Sequence, residues 1–300
     1  YYYLECAATG RIVAQGTADE PINFTSSSAT PVAGDWAHIT TGSGGTLDHC
    51  NIMHASVAVY VNNAGTVSNC YIRGTTTGII IESSGATVED TSIWGVPVGI
   101  ALRGANNAVV QRCVVENSDE GINFLTNTQN SLVDGCWVNS SVRHGVGIVA
   151  TGGSNKVWNT YISRSPIGIL MRDLVSPTAQ GGVHIFNCTI ETFSDKGISM
   201  ESVSPVNTVK IQRNHIWDGN LGLFMDKGAN FELTENTFRE NIKGVRVNDT
   251  TGYTGYIHKN NFIKSGLVEA ESANSEVLWD KSGFGNFWWV AVHEYGFEDN

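Results

Sequence analysis

Apolar and polar positions repeat along the chain on one template. An apolar residue is followed by two variable residues, a small or amide residue, a variable residue and a second apolar residue, as in Leu47–Ile52, Val67–Ile72 and Val110–Val115. Ten such units lie between residues 47 and 262, and the repeat is about 23 residues long. The small or amide position is held by Cys50, Cys70, Thr91, Cys113, Cys136, Thr160, Cys188, Asn214, Asn236 and Asn260.

A second segment follows about eight residues after the small or amide position in most units. It reads glycine, apolar, any residue, apolar, as in Gly78–Ile81, Gly121–Phe124 and Gly168–Met171. Side chains that alternate with a period of two are typical of β-strands. The repeat therefore predicts two short strands per unit, separated by a corner.

A unit this short cannot bury its own apolar face, so neighbouring units must stack and pair strand on strand. Leucine-rich repeats have similar periods, but their Leu-x-x-Leu-x-Leu pattern and helix are absent from the sequence. Stacking at about 4.8 Å per coil places the small or amide residues in one internal column. Five of the six cysteines are therefore expected to be buried column residues rather than parts of a metal or redox site.

This arrangement resembles the right-handed parallel β-helix of the pectate-lyase-like superfamily over about residues 10 to 270. The resemblance implies an all-β solenoid of about ten or more coils. It also implies one domain, with opening coils over residues 1–45, regular coils over 46–270 and an aromatic C-terminal cap over 271–300. The first residues begin inside a repeat, so we expect a segment of a larger protein with a covalently linked catalytic domain.

Composition narrows the range of partners. Lys and Arg number 18 against 29 Asp and Glu, a formal net charge of −11, which argues against nucleic acid and acidic membranes as partners. No apolar stretch is long enough to cross a bilayer. The opening segment Gly10–Thr25 resembles the first coils of secreted β-helix proteins. That resemblance implies a secreted or cell-surface location.

Aromatic residues recur at positions expected to face outward. Rings that project from successive coils would stack on the apolar faces of sugar rings. The alternative is that they form local hydrophobic cover beneath loops. The candidate carbohydrate-binding residues are Tyr71, Trp94, Trp137, Trp158, Tyr161 and Trp217.

Charged residues offer a second kind of candidate site. Arg172, Glu201 and Asp226 share one outward column, and carboxylates on successive coils would lie near the ~5 Å separation of a retaining glycosidase pair. The same carboxylates suit Ca²⁺, the one cofactor the sequence suggests. An exposed salt-bridge ladder explains them equally well. A second charged cluster, with the residue types that lyases use as bases and cations, comprises Arg143, His144, Tyr161 and Arg164.

Two functions of different classes follow. The first is a non-catalytic carbohydrate-binding module that recognises a polysaccharide, a plant cell-wall glycan such as xylan, through its outward aromatic residues. The second is a polysaccharide lyase, glycoside hydrolase or epimerase with its groove over the central coils. No catalytic set of the known β-helix hydrolases or epimerases is present, which favours the first function. A surface or adhesion solenoid without a sugar ligand is a third alternative.

Overall fold

The computed structural model describes residues 2–6, 9–149, 153–174, 182–203, 208–227, 230–249, 254–264, 266, 268–273 and 277–288. Its secondary structure there consists of short strands and turns without a helix. Consequently, no helix within these ranges is long and apolar enough to span a membrane.

The strands from the first half of the chain are β1 (Val13–Gln15), β2 (Ile22–Phe24), β3 (Ile39–Thr40), β4 (Thr46–Asp48), β5 (Cys50–Met53), β6 (Val57–Val61), β7 (Thr66–Ser68), β8 (Tyr71–Arg73), β9 (Thr77–Ile81), β10 (Thr87–Glu89), β11 (Ser92–Trp94), β12 (Val98–Leu102), β13 (Val109–Gln111), β14 (Val114–Glu116), β15 (Glu120–Phe124), β16 (Leu132–Asp134), β17 (Trp137–Asn139) and β18 (His144–Val149). Those from the second half are β19 (Lys156–Trp158), β20 (Tyr161–Ser163), β21 (Ile167–Arg172), β22 (His184–Phe186), β23 (Thr189–Glu191), β24 (Lys196–Glu201), β25 (Thr208–Gln212), β26 (His215–Trp217), β27 (Leu221–Lys227), β28 (Asn230–Thr234), β29 (Thr237–Arg239), β30 (Lys243–Asp249), β31 (Gly255–His258), β32 (Asn261–Ile263), β33 (Val268–Ser272), β34 (Val277–Leu278) and β35 (Phe287–Trp288).

Every third strand joins the same parallel sheet, so the chain winds through three sheets once per coil. Sheet 1 runs from β1 to β34 with 12 strands, sheet 2 from β2 to β35 with 12, and sheet 3 from β3 to β33 with 11. The pairing is parallel and in register, for example Val88 with Val110 and Ile93 with Val115. The predicted all-β parallel solenoid of about ten or more coils is confirmed.

The prediction of two strands per unit was wrong, because each coil has three. The template segment expected to be one strand is bent just before the small or amide residue. There the backbone enters the left-handed region, with φ of 51° at Asn69, 49° at Asp90 and 48° at Asn159. One residue in this region turns the chain out of sheet 1 and into sheet 2, and Asn and Asp tolerate it better than most side chains.

The core is a column of aliphatic side chains supplied by all three sheets. Val88 of sheet 1, Ile93 of sheet 2 and Ile100 of sheet 3 are fully or almost fully buried. The repeated glycine lies inside the sheet 3 strand rather than at a corner. A Cβ on Gly121 would come within 2.2 Å of the Gly145 carbonyl oxygen and 2.5 Å of Val138 Cγ1. That position therefore excludes side chains because the adjacent strand of sheet 3 and Val138 of sheet 2 both approach it closely.

The predicted internal column is confirmed. All ten of its members are buried, and their cysteines are free thiols. The thiols contact backbone oxygens, as Cys136 Sγ does with the Val110 oxygen at 3.7 Å. At the C-terminal end the column becomes an amide ladder, in which Asn214 donates to Asn236 at 2.9 Å and Asn236 donates to Asn260 at 3.0 Å. Asn286 adds one further step that the sequence pattern did not identify.

Candidate functional site

The outer surface of sheet 2 carries five of the six predicted aromatic residues. Each short strand of this sheet turns its central residue inward and its first and last residues outward, as the burial of Ile72 between exposed Tyr71 and Arg73 shows. Two outward columns therefore run along the solenoid, one at the first and one at the last strand position. We call this surface the aromatic face, and its five rings are Tyr71, Trp94, Trp137, Tyr161 and Trp217.

Trp137 and Tyr161 form the centre of the aromatic face. They are register partners on adjacent coils, their ring centroids lie 4.3 Å apart, and the rings are tilted by 38°. Trp137 keeps 47% of its surface exposed. The Tyr161 hydroxyl donates to the Glu191 carboxylate. Partial burial and this hydrogen bond raise the pKa of Tyr161, so the phenol stays protonated.

A polar column runs beside these two rings. Asn139 donates to Glu116 at 3.2 Å, and the Ser163 hydroxyl donates to Asn139 Oδ1 at 3.0 Å. These groups occupy the last position of three successive strands, and Trp137 and Tyr161 occupy the first position of the latter two. The centre of the face thus pairs apolar ring surface with hydrogen-bonding groups on the same coils.

The remaining rings lie to either side of this centre. Tyr71 and Trp94 sit on earlier coils with 38% and 48% of their surfaces exposed. Trp217 packs edge-on against His215 with ring centroids 6.2 Å apart. It helps to line a shallow depression of about 240 Å³ together with Thr189, Glu191, His215 and Arg239.

Trp158, the sixth predicted aromatic residue, lies on a different surface. It ends strand β19 of sheet 1, where its ring packs near His184 and Phe186. Sheets 1 and 2 face different directions around the coil. Trp158 therefore does not extend the row of rings on the aromatic face.

Arg172, Glu201 and Asp226 lie on the outer surface of sheet 3. Arg172 and Glu201 are register partners joined by a two-pronged ion pair, with distances of 2.8 Å from Nε and 2.7 Å from a terminal nitrogen. Ser199 donates to the other Glu201 oxygen at 3.0 Å, and Asn248 donates to Asp226 at 3.3 Å. Arg172 and Glu201 thus form the expected salt bridge, whereas the partner of Asp226 is an amide.

The described ranges contain no group of three or more His, Cys, Asp or Glu side chains placed to hold a metal ion. Asn248 and Ser199, rather than further carboxylates, accompany Asp226 and Glu201. Calcium at these two carboxylates remains a prediction.

A cleft on sheet 3 brings together polar side chains that the sequence only partly identified. Its volume is about 310 Å³, and it is lined by Glu120, Asn123, Leu125, Arg143, His144, Val149, Ile167, Leu170 and Arg172. Asn123 is 1% exposed and His144 7%. Arg143 pairs with Glu120 at 3.2 Å at the rim.

A chain of hydrogen bonds fixes the histidine in this cleft. The Asn123 amide donates to Glu120 at 2.8 Å, so the amide oxygen faces His144 Nε2 at 2.7 Å. Nε2 therefore carries the proton, and Nδ1 is the unprotonated nitrogen of the neutral ring. Burial, with contributions from Arg143 and Arg172, lowers the pKa of His144 despite the nearby Glu120 carboxylate.

Asn123 was missed at the sequence level. A polar residue at the variable position of Gly-Ile-Asn-Phe is unremarkable in the sequence. Strand register places Asn123 opposite Gly147, and its side chain reaches His144 on the same strand. Gly147, on the His144 strand, leaves room for this contact, since a Cβ there would lie 2.3 Å from Asn123 Oδ1.

The predicted lyase-type cluster is divided between two surfaces. Arg143 and His144 line the sheet 3 cleft together with Arg172. Tyr161 lies on sheet 2, and Arg164 is the left-handed residue that follows its strand. His144 begins strand β18.

The fold is similar to several solved structures of low sequence identity. Pectate lyase Pel9A matches with a TM-score of 0.50 and 14% identity, over 96% of this chain and 69% of that chain. The periplasmic alginate epimerase AlgG matches with a TM-score of 0.55 and 12% identity, over 89% of this chain and 70% of that chain. The A-module of the Azotobacter vinelandii mannuronan C-5 epimerase AlgE4 matches with a TM-score of 0.55 and 12% identity, over 84% of this chain and 90% of that chain. These likenesses show the shared fold.

No curated protein matches the sequence. The family model of the right-handed β-helix region, in contrast, matches residues 35–173 and 139–263, which together span well over half of the chain. The matched residues form most of the coils of the three parallel sheets. The chain belongs to the right-handed β-helix family.

Proposed function

We propose that this chain is a non-catalytic carbohydrate-binding module that binds a polysaccharide along its aromatic face. The observation that carries the proposal is the Trp137–Tyr161 pair, in which an exposed ring stacks on a half-buried one beside the polar column of Glu116, Asn139 and Ser163. A sugar ring has apolar C–H faces and a polar rim. The rings suit the faces, and the amide of Asn139 and the carboxylate of Glu116 suit the rim.

The spacing of the rings supports a glycan that runs parallel to the solenoid axis. Adjacent coils are about 4.8 Å apart, which is close to the length of one sugar ring. Trp94 lies two coils before Trp137, and Trp217 lies two coils after Tyr161. From Trp94 to Trp217, four of six successive coils therefore carry an outward ring, in one or the other of the two adjacent columns.

The charge of the aromatic face favours a neutral glycan such as xylan. Glu116 and Glu191 flank the central rings and would repel a carboxylated sugar chain, whereas they accept hydrogen bonds from the hydroxyl groups of a neutral one. A location outside the cell and a linked catalytic domain accord with this proposal. The names of the similar structures, which refer to pectate, alginate and mannuronan, support a polysaccharide as the ligand class.

Affinity electrophoresis on soluble glycans tests the proposal. We expect xylan to retard the protein, and Trp137→Ala to weaken that retardation about tenfold because the exposed half of the stack is lost. Trp158→Ala, the same substitution on sheet 1, is the matched control and should leave retardation unchanged. Equal retardation of the wild-type protein, Trp137→Ala and Tyr161→Ala would contradict binding on this face.

One observation favours a second candidate function, a polysaccharide lyase, glycoside hydrolase or epimerase acting in the sheet 3 cleft. The neutral His144 is held in one tautomer in a cleft that also contains Arg143 and Arg172. Such a group is suited to proton transfer. The same glycans should be assayed for new reducing ends and for unsaturated products. Product formation that is lost in His144→Gln or Glu201→Gln would establish an enzyme and refute the non-catalytic module.

A further inference from the structure

Three basic side chains form a column on the outer surface of sheet 1. Lys156, His184 and Lys210 are register partners on three successive coils. The other outward column of the same strands holds Trp158, Phe186 and Gln212. We call these six side chains the basic strip.

The two lysines of the strip have no acidic partner. Among the residues that the structure describes, no carboxylate forms a salt bridge with Lys156 or Lys210. Arg112, on the same side of the coil nearer the N-terminus, instead pairs with both Glu89 and Asp90 at 2.7 Å. An unneutralised pair of lysines on either side of His184 is unexpected in a chain with a formal net charge of −11.

The existing contacts of the strip leave the charge of the lysines uncompensated. The Lys156 ammonium lies 4.9 Å from the centroid of the Trp158 ring, a weaker interaction than a hydrogen-bonded ion pair. His184 Nε2 lies 3.1 Å from Gln212 Oε1. Trp158 and Phe186 are half-buried and pack edge to face at 6.3 Å. The strip thus places two half-buried aromatic rings beside the two positive charges, with Lys156 over the Trp158 ring and Arg213 5.7 Å from the centroid of the Phe186 ring.

Acidic residues limit the strip at both ends. Asp134 precedes Trp158 in its column, and Glu232 follows Lys210. Glu232 is already engaged by Lys281 at 2.7 Å. Two coil spacings separate the lysines, a distance of about 10 Å. A ligand with two anionic groups on a short rigid chain would meet both of them.

We propose that the basic strip binds a polysaccharide that carries carboxylate groups, that is, a glycan containing uronic acids. Its carboxylates would pair with Lys156 and Lys210, and the C–H faces of its rings would lie against Trp158 and Phe186. The strip is too short and the protein too acidic to follow a nucleic-acid backbone. The site lies on a different sheet from the aromatic face, so the chain would hold an acidic and a neutral glycan on separate surfaces.

Affinity electrophoresis in polygalacturonate tests this site. We expect polygalacturonate to retard the protein, less so as salt rises, because exposed charges are screened. The double variant Lys156→Gln with Lys210→Gln should lose at least about tenfold in affinity, since two charge-assisted contacts are removed. The matched control is Lys196→Gln with Lys243→Gln on sheet 3, which removes the same charge elsewhere and should retain binding.

Each other outcome overturns the proposal. Absence of retardation in the wild-type protein, or an equal loss in both double variants, would exclude a local site. Tighter binding of dextran sulfate or oligothymidylate than of polygalacturonate would exclude a carboxylated glycan as the ligand. Trp137→Ala should bind polygalacturonate normally, so this site and the aromatic face succeed or fail independently. Circular dichroism of each variant verifies that the β-structure is retained.

Discussion

His144 shows how strongly one side chain depends on its strand partners. It is buried on the outer surface of a sheet, where most histidines would contact water, because Asn123 on the preceding coil binds its Nε2. The ring is held neutral because burial penalises its charged form. The free energy of unfolding should therefore depend on pH through this residue.

The predicted effect of pH follows from the lowered pKa of His144. Since the ordinary value is 6.5 and the folded-state value is lower, the stabilisation is present above about pH 6.5 and is lost as pH falls toward the folded-state pKa. His144→Gln, which keeps a donor for Asn123, should reduce the drop in melting temperature between pH 7 and pH 5 by a few degrees. Thermal scans by circular dichroism measure the melting temperature at each pH. If His144→Gln and the wild-type protein lose the same number of degrees between pH 7 and pH 5, a buried neutral histidine is contradicted.

At the scale of the element, the internal column has two chemically different halves. The N-terminal half consists of thiols and hydroxyls that contact backbone oxygens. In the C-terminal half, Asn236 Oδ1 accepts from both the backbone and the side chain of Asn214, while its amide donates to two backbone oxygens and to Asn260. Each asparagine therefore links its neighbours on both sides through hydrogen bonds of its side chain.

This difference predicts unequal costs for the same substitution. Asn236→Ala should lower the free energy of unfolding by about 2–4 kcal/mol, because several buried hydrogen-bonding groups lose their partner. Cys136→Ala removes only one small buried group and should cost about 1 kcal/mol. Urea unfolding followed by circular dichroism gives both values. A cost for Cys136→Ala as large as that for Asn236→Ala would show that the ladder adds no stability beyond packing.

On the scale of the whole molecule, three aromatic rings stack on one another through the last described coils of sheet 2. Phe238 and Phe262 stack with centroids 5.3 Å apart, and Trp288 stacks on Phe262 at 4.4 Å with the planes tilted by 9°. An end coil of a solenoid must cover apolar core that inner coils cover for one another. The predicted cap over residues 271–300 remains a prediction, and its residues 289–300 lie outside the described residues.

Removal of the last ring should loosen only one end of the molecule. In Trp288→Ala we expect amide hydrogen exchange to increase roughly tenfold or more in β29 and β32, while β8 and β11 keep the wild-type rate, because each coil contacts only its neighbours. Trp94→Ala, which removes an exposed ring, is the control and should alter neither region. Faster exchange throughout the Trp288→Ala protein would indicate that the solenoid unfolds as one unit.

The sequence by itself determined the coil repeat, the buried column and the outward position of the aromatic rings. Each depends on a periodic pattern of side chains, and a solenoid repeats its environment once per period. Only the tertiary structure showed the third strand of each coil. One residue with left-handed backbone, such as Asn69, divides the template segment into a strand of sheet 1 and a strand of sheet 2. The tertiary structure alone also decided which residues become neighbours. Trp158 lies on sheet 1 and not on the aromatic face, Asn123 contacts His144, and Lys156 shares a column with Lys210. Those neighbours come from different coils, and variable turns between the sheets make their alignment depend on strand register.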